Sequence, residues 1–193
     1  MSKRELNFLV ILVLILGMLA ACEKVADNSD DDDDGTDVYT YDTATVVQVN
    51  LNGSSITVVP DVATVSGTKV TLKSAGTYKI TGTLADGQIV VNANNSGNVR
   101  LILNGVNIKC STSAPIYIKD ADKALIALAD GTVNTLTDGT SYVTDESGEP
   151  NAALFSDAEL VIYGEGSLNV TANYNDGISS DDGLVIKGGT ITV

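Results

Sequence analysis

The chain has 193 residues, of which 44% are hydrophobic, so it is long enough for one folded domain with appendages and an ample core. Aromatic residues make up only 5% and Trp is absent, so Val, Ile, Leu and Ala must fill that core. The net charge of −14 argues against nucleic acid and anionic lipid as partners, and the absence of His argues against zinc chemistry.

The N-terminus has the features of a secretory signal. Lys3 and Arg4 precede an uncharged apolar run at 8–20, which is shorter than the roughly 20 residues of a membrane-spanning helix. We therefore predict a signal peptide at 1–21. The run ends in LAAC, which resembles the lipobox of bacterial lipoproteins and implies that lipid is attached to Cys22. The prediction is an extracytoplasmic lipoprotein, held by its lipid alone at the cell surface or in the periplasm; the alternative is an ordinary signal peptide with a chance cysteine.

An acidic segment follows at residues 22–37. It contains a run of aspartates at 30–34 and no apolar period, so it is predicted to be an extended tether between the membrane and the folded domain. A calcium site is the alternative, but the spacing and terminal Glu of an EF-hand are absent.

Residues 38–66 contain two strand-like pieces around Asn52-Gly53, which is a hairpin-type turn signal. We predict that this segment caps the N-terminal end of the repeats that follow, since an open end would expose unpaired strand edges.

From residue 67 to the end, apolar and polar residues alternate as in half-buried strands. The pattern is clearest after residue 150, where an internal repeat aligns Leu154 with Ile178 and Leu160 with Leu184 at an offset of 24 (178 − 154). Short strands separated by glycine and polar turns at such a spacing predict an all-β parallel solenoid with about three strands per coil. Segment 138–150 interrupts the spacing and is predicted to be a loop that projects from one corner.

Four segments carry a resemblance to a known family: GTYKITGTLADGQIVV, VRLILNGVNI, SAPIYIKDADKALIALADGTVNTLTDG and NDGISSDDGLVIKGGTITV. Over about residues 67–193 the chain resembles bacterial carbohydrate-binding domain-containing proteins. The resemblance implies a right-handed parallel β-helix related in shape to pectate lyases, and an association with calcium and acidic, pectin-like polysaccharides. Further coils normally follow in that family, whereas this sequence stops at Val193 in mid-pattern. We expect a C-terminally truncated sequence or a second chain over the end, and self-association through the uncovered last coil.

Two groups of oxygen-bearing residues are candidate calcium ligands. Parallel strands stack about 4.8 Å apart, so an offset of 24 places Asp157 directly beneath Asp181, where a cation would relieve the repulsion of the two carboxylates. The alternative is that these residues form solvated turns. The predicted metal ligands are Asp157, Asp181 and Asp182 in the first group, and Asn173, Asn175 and Asp176, in the turn before Ile178, in the second.

Aromatic residues are the candidates for stacking on sugar rings. Phe155 and Tyr117 fall at outward positions of their strands, and the alternative is that they contact each other as an external ladder. Lys187 could pair with a uronate carboxylate or be one more solvated lysine. The predicted carbohydrate-binding residues are Tyr117, Phe155, Tyr163, Tyr174 and Lys187.

Together these features favour a surface-anchored, non-catalytic module that binds an acidic polysaccharide with the help of calcium. One alternative is a calcium-dependent lyase, which needs a Lys or Arg base to remove a proton from the uronate. The candidate bases are Lys187, Lys73, Lys119 and Arg100, and the sequence does not visibly pair any of them with the acids. The other alternative is an adhesin in which the solenoid is a stiff spacer.

Overall fold

The computed structural model describes residues 39–94, 96–144, 146 and 148–193. The predicted signal peptide at 1–21, the tether at 22–37 and the lipidation site Cys22 all lie outside these residues. The described part of the chain is all-β, with a single 3-10 turn at Thr43–Thr45. Among the described residues, no helix has the length and apolar character needed to cross a membrane.

Sixteen strands account for most of the described chain. In chain order they are β1 (Val47–Gly53), β2 (Ile56–Val59), β3 (Thr64–Ser66), β4 (Lys69–Leu72), β5 (Gly76–Leu84), β6 (Gln88–Asn92), β7 (Asn98–Cys110), β8 (Ile116–Asp120), β9 (Lys123–Leu128), β10 (Val133–Asp138), β11 (Ala152–Ser156), β12 (Leu160–Gly164), β13 (Ser167–Thr171), β14 (Asp176–Ser180), β15 (Leu184–Ile186) and β16 (Thr190–Thr192).

The strands form two sheets. The larger has ten strands in the order β15-β12-β9-β7-β10-β13-β16, with β5, β1 and β2 extending from β7, and the smaller has six in the order β14-β11-β8-β6-β4-β3. Pairing is antiparallel in β1–β2 and β3–β4 and parallel in the other pairs. The sheets are therefore mixed, and they face each other across the core in an open, sandwich-like arrangement. This arrangement confirms the all-β prediction and does not confirm the finer prediction of a right-handed parallel β-helix.

The hairpin predicted at Asn52-Gly53 is confirmed. Leu51 pairs with Ile56 across β1 and β2, and the Asn52 N–H donates to the Ser55 carbonyl at 2.8 Å. Gly53 has a φ of 78°, a left-handed conformation that glycine adopts without steric cost. The short turn explains why the first strands pair antiparallel, since a parallel connection needs a long crossover.

The internal repeat lies in register across the sheets. Leu154 of β11 pairs with Ile178 of β14, and Leu160 of β12 pairs with Leu184 of β15, both at the predicted offset of 24 (178 − 154 and 184 − 160). The alternating apolar residues of both sheets point into one core, which is built almost entirely from Val, Ile, Leu and Ala. Each fully buried Leu or Ile contributes about 1.5–3 kcal/mol, so this core is the main source of stability.

A second, smaller apolar cluster lies on the outer face of the six-stranded sheet. Its buried members are Val90, Ala114, Tyr117, Ala152 and Phe155, and Tyr142 packs against it. Tyr142 comes from the segment that was predicted to project from a corner. Its ring contacts the sheet, and the neighbouring Val143 N–H donates to the Thr112 carbonyl at 2.8 Å. This part of the loop therefore folds back onto the sheet, because two aromatic rings there offer apolar surface to cover.

Candidate functional site

Three carboxylates converge at one edge of the six-stranded sheet. Ligand atoms of Glu149, Asp157 and Asp181 all lie within 4.8 Å of one another. Asp157 directly follows β11 and Asp181 directly follows β14, and these strands pair with Ser156 opposite Ser180. The Asp181 N–H donates to the Ser156 carbonyl at 3.0 Å, which holds the two aspartates one above the other. The stacking expected from the repeat is thus present, and we call these three residues the acid cluster.

Glu149 is the member of the acid cluster that the sequence analysis did not identify. It lies in the irregular loop before β11, where no repeat period indicates its position. Glu159, two residues after Asp157, is not a member of the acid cluster: its carboxylate is 3.2 Å from the Lys123 ammonium. The acidic composition of the loop was the one available signal for Glu149.

A surface depression of about 280 Å³ adjoins the acid cluster. It is lined by Lys119, Asp120, Ala121, Asp157, Ala158 and Asp182. Asp182 therefore borders the same depression as Asp157, although it is not one of the three converging acids. The Tyr117 hydroxyl donates to Asp157 Oδ2 at 3.5 Å, a long hydrogen bond that connects the outer apolar cluster to the acids.

The oxygen donors of the acid cluster suit a hard cation. Two unit charges 4.8 Å apart repel by about 0.9 kcal/mol in water and about 3.5 kcal/mol at an effective dielectric of 20. Calcium prefers carboxylate and carbonyl oxygens at about 2.3–2.6 Å, so one ion fits within reach of all three groups. The residues present are compatible with calcium and contain no nitrogen or sulfur ligand that would favour zinc.

The other predicted metal ligands lie at the opposite end of β14. Asn173 donates from its backbone N–H and its side-chain amide to Asp138, and Asn175 donates to Asp176 Oδ2 at 3.2 Å. The five residues of β14 span about 16 Å at about 3.3 Å per residue. One ion therefore cannot bind both groups, and the amide of Asn173 is used to hold its own turn.

The predicted carbohydrate-binding aromatics have different environments. Phe155 is 0% exposed and Tyr117 is 7% exposed, and their rings contact each other at 5.7 Å with an angle of 53°. Their outward orientation was predicted correctly, but the loop with Tyr142 covers them, so neither ring presents a face for a sugar. The Tyr163 hydroxyl accepts a hydrogen bond from Arg100 Nε at 2.9 Å on the other sheet.

Tyr174 is the predicted aromatic that remains open, with 43% of its surface exposed. Its ring stacks on Tyr142 with centroids 4.3 Å apart and an angle of 14°. The Tyr142 hydroxyl donates to Asp138 Oδ2 at 2.8 Å. The pKa of Tyr142 is raised far above its ordinary value, mainly by burial and secondly by this hydrogen bond. The phenol therefore remains a donor at physiological pH.

Lys187 is exposed, as expected of a residue that contacts either a ligand or solvent.

Known proteins resemble this chain in sequence and in structure. A carbohydrate-binding domain-containing protein of Acetivibrio thermocellus is 44% identical over 135 residues, which are 69% of this chain and 47% of that protein. A solved polysaccharide lyase-like protein from C. thermocellum, determined as a gadolinium derivative, superposes with a TM-score of 0.71 at 38% identity. The match covers 75% of this chain and 60% of the solved one, so this chain spans about half to three fifths of the length of these relatives.

The family model of carbohydrate-binding domain-containing proteins matches residues 66–193. That range is about two thirds of the sequence and includes the outer apolar cluster, Tyr174 and every residue of the acid cluster. The chain therefore belongs to the family of carbohydrate-binding domain-containing proteins.

Proposed function

We propose that this protein is a non-catalytic module that binds an acidic polysaccharide through a calcium ion held by Glu149, Asp157 and Asp181. The observation that carries the proposal is the convergence of three carboxylates, from two stacked strands and a loop, within 4.8 Å. Membership of the carbohydrate-binding family and the likeness to a polysaccharide lyase-like fold support a polysaccharide as the ligand.

Charge explains why a cation is required. The chain carries a net charge of −14, so a polyuronate would be repelled by its surface. Three carboxylates in one place would repel a uronate most strongly, unless a divalent ion lay between them. A bound calcium with unfilled coordination positions would accept the carboxylate oxygens of the sugar and convert this repulsion into attraction.

The proposal also includes anchoring and architecture. A lipid on Cys22 would hold the domain at the bacterial surface or in the periplasm, with residues 22–37 as its tether. We interpret the parallel strands as successive coils of a right-handed β-helix. Support comes from the register offsets, which are 24 for Leu154–Ile178 (178 − 154) and 23 for Ser167–Thr190 (190 − 167).

A calcium-dependent lyase is the second candidate function. Lys119 lines the same depression as Asp157, so a potential general base would lie beside the proposed ion. β-Elimination needs both a cation on the uronate carboxylate and a base for the adjacent proton. An increase in absorbance from an unsaturated product, lost in Lys119→Ala, would establish the lyase and exclude the non-catalytic function.

The binding proposal is tested with polygalacturonate in affinity electrophoresis, with calcium and with chelator. We expect retardation only with calcium, and loss of retardation in Asp157→Asn and Glu149→Gln. Asp130→Asn is the matched control, because it removes one charge from an exposed turn outside the acid cluster. Retardation that is unaffected by chelator would refute the calcium-assisted mechanism.

The ion can be detected separately from the sugar. Tb³⁺ is a hard cation that emits when a nearby tyrosine is excited, and Tyr117 lies 3.5 Å from Asp157 in a chain without Trp. We expect tyrosine-sensitised Tb³⁺ emission that calcium displaces. The emission should fall in Asp157→Asn and be unchanged in Asp130→Asn.

A further inference from the structure

The ring of Tyr174 is exposed to solvent, yet contacts on one of its faces hold it in place. One of its faces stacks on Tyr142, and 43% of the residue remains in solvent. Tyr142 is itself fixed, since it packs against the outer apolar cluster and donates its hydroxyl to Asp138. The second face of Tyr174 is consequently an immobilised aromatic surface.

Asp138 fixes the backbone that carries this ring. Its side chain is 5% exposed and accepts hydrogen bonds from the Tyr142 hydroxyl, the Asn173 backbone N–H and the Asn173 amide. The amide of Asn173 also donates to the Asp138 carbonyl at 2.8 Å. These bonds fix the residue immediately before Tyr174. The Tyr174 side chain would therefore lose little additional conformational freedom when a ligand stacks on its ring.

A continuous outer surface leads from Tyr174 to the acid cluster. Ser179 of β14 pairs with Phe155, a member of the outer apolar cluster, so its side chain lies on this outer face. Asp176, the first residue of β14, is exposed to solvent. β14 then ends, and Asp181 follows. The strand covers about 16 Å, which is enough for several sugar rings of a polysaccharide and too long for a single monosaccharide.

We propose that Tyr174 is a stacking subsite for a pyranose ring, and that the polysaccharide runs from it along the outer side of β14 to the cation at Asp181. This inference rests on the proposed function and specifies where the chain of sugars lies. The face of an aromatic ring carries partial negative charge and attracts the weakly positive C–H groups of a pyranose face. Sugar hydroxyls donate to Asp176 and Ser179, while the uronate carboxylate is directed to the cation end, because Asp176 repels it.

The experiment measures the affinity of the calcium-loaded, full-length chain for polygalacturonate, with Tyr174→Ala and Tyr174→Phe as test variants. Tyr41→Ala is the matched control, since Tyr41 is exposed to a similar extent, 41%, and lies over Arg100 on the other sheet. We expect the affinity to fall roughly tenfold in Tyr174→Ala, as for truncation of an aromatic binding residue. The affinity should remain within about twofold of the parent in Tyr174→Phe and Tyr41→Ala, because both variants keep an aromatic ring at position 174.

Each outcome supports or overturns the inference. If the parent binds and Tyr174→Ala binds equally well, the subsite is wrong while the proposed function stands. If Tyr174→Phe loses as much affinity as Tyr174→Ala, the hydroxyl and not the ring is recognised, and stacking is wrong. If the alanine variant also loses Tb³⁺ emission, its effect lies at the ion and the subsite is wrong. A parent that binds no polygalacturonate with calcium overturns the proposed function together with this inference.

Discussion

Asp181→Asn is the sharpest single test of the acid cluster, because the substitution should stabilise the calcium-free protein and also reduce the stabilisation that calcium provides. The side chain keeps its size and loses its charge. In the calcium-free protein, this removes two of the three pairwise repulsions within the acid cluster. Asp181 is exposed, so solvent screening reduces each of the two repulsions to about 0.9 kcal/mol or less, and we expect a net stabilisation of about 1–2 kcal/mol.

Calcium should stabilise the variant less than the parent. An ion that binds only the native state at a hundredfold excess over its Kd stabilises the domain by about 2.7 kcal/mol, and a variant with tenfold weaker affinity gains about 1.4 kcal/mol. One kcal/mol corresponds to about 2–4 °C for a domain of this size. The parent should therefore gain about 5–10 °C in Tm on addition of calcium, and Asp181→Asn about 3–5 °C.

The assay is thermal unfolding followed by circular dichroism, in chelator and at millimolar calcium. Asp130→Asn, in an exposed turn away from the acid cluster, should gain as much from calcium as the parent. An identical calcium shift in the parent and Asp181→Asn would place the ion elsewhere. A parent whose Tm is unchanged by calcium would mean that the three acids form a solvated turn.

Three further predictions concern the rest of the chain. Cys22→Ser should move the protein from the membrane fraction to the soluble fraction; a variant that stays with the membrane would show that the apolar run itself is the anchor. Asn134→Ala should cost about 1–3 kcal/mol in urea unfolding, because Asn134 is 0% exposed and accepts from the Gly105 and Val106 N–H groups, and its loss leaves the buried Val106 donor unsatisfied; a loss below about 0.5 kcal/mol would contradict this. Residues Ile186 and Val193 are 54% and 71% exposed, so light scattering should detect concentration-dependent self-association, which Ile186→Lys should weaken; a monodisperse monomer at high concentration would count against it.

The sequence by itself determined the strands, the core and the stacking of two acids. Alternation with period two decides which residues point inward, and this local rule placed residues such as Ile116, Ile118 and Leu154 in the core. The repeat period decides which residues meet between strands, and it brought Asp157 and Asp181 together. Both rules depend only on spacing along the chain.

The tertiary structure decided the features that have no period. Glu149 joins the acid cluster because the loop before β11 returns to the sheet, and no sequence spacing specifies that path. The same loop buries Phe155 and Tyr117 under Tyr142, which leaves Tyr174 as the exposed ring among the predicted carbohydrate-binding aromatics. Arg100 and Tyr163 meet across 63 residues because β9 pairs with both of their strands, β7 and β12. Long-range packing depends on which apolar surfaces remain uncovered once the strands have formed, and only the folded chain contains that information.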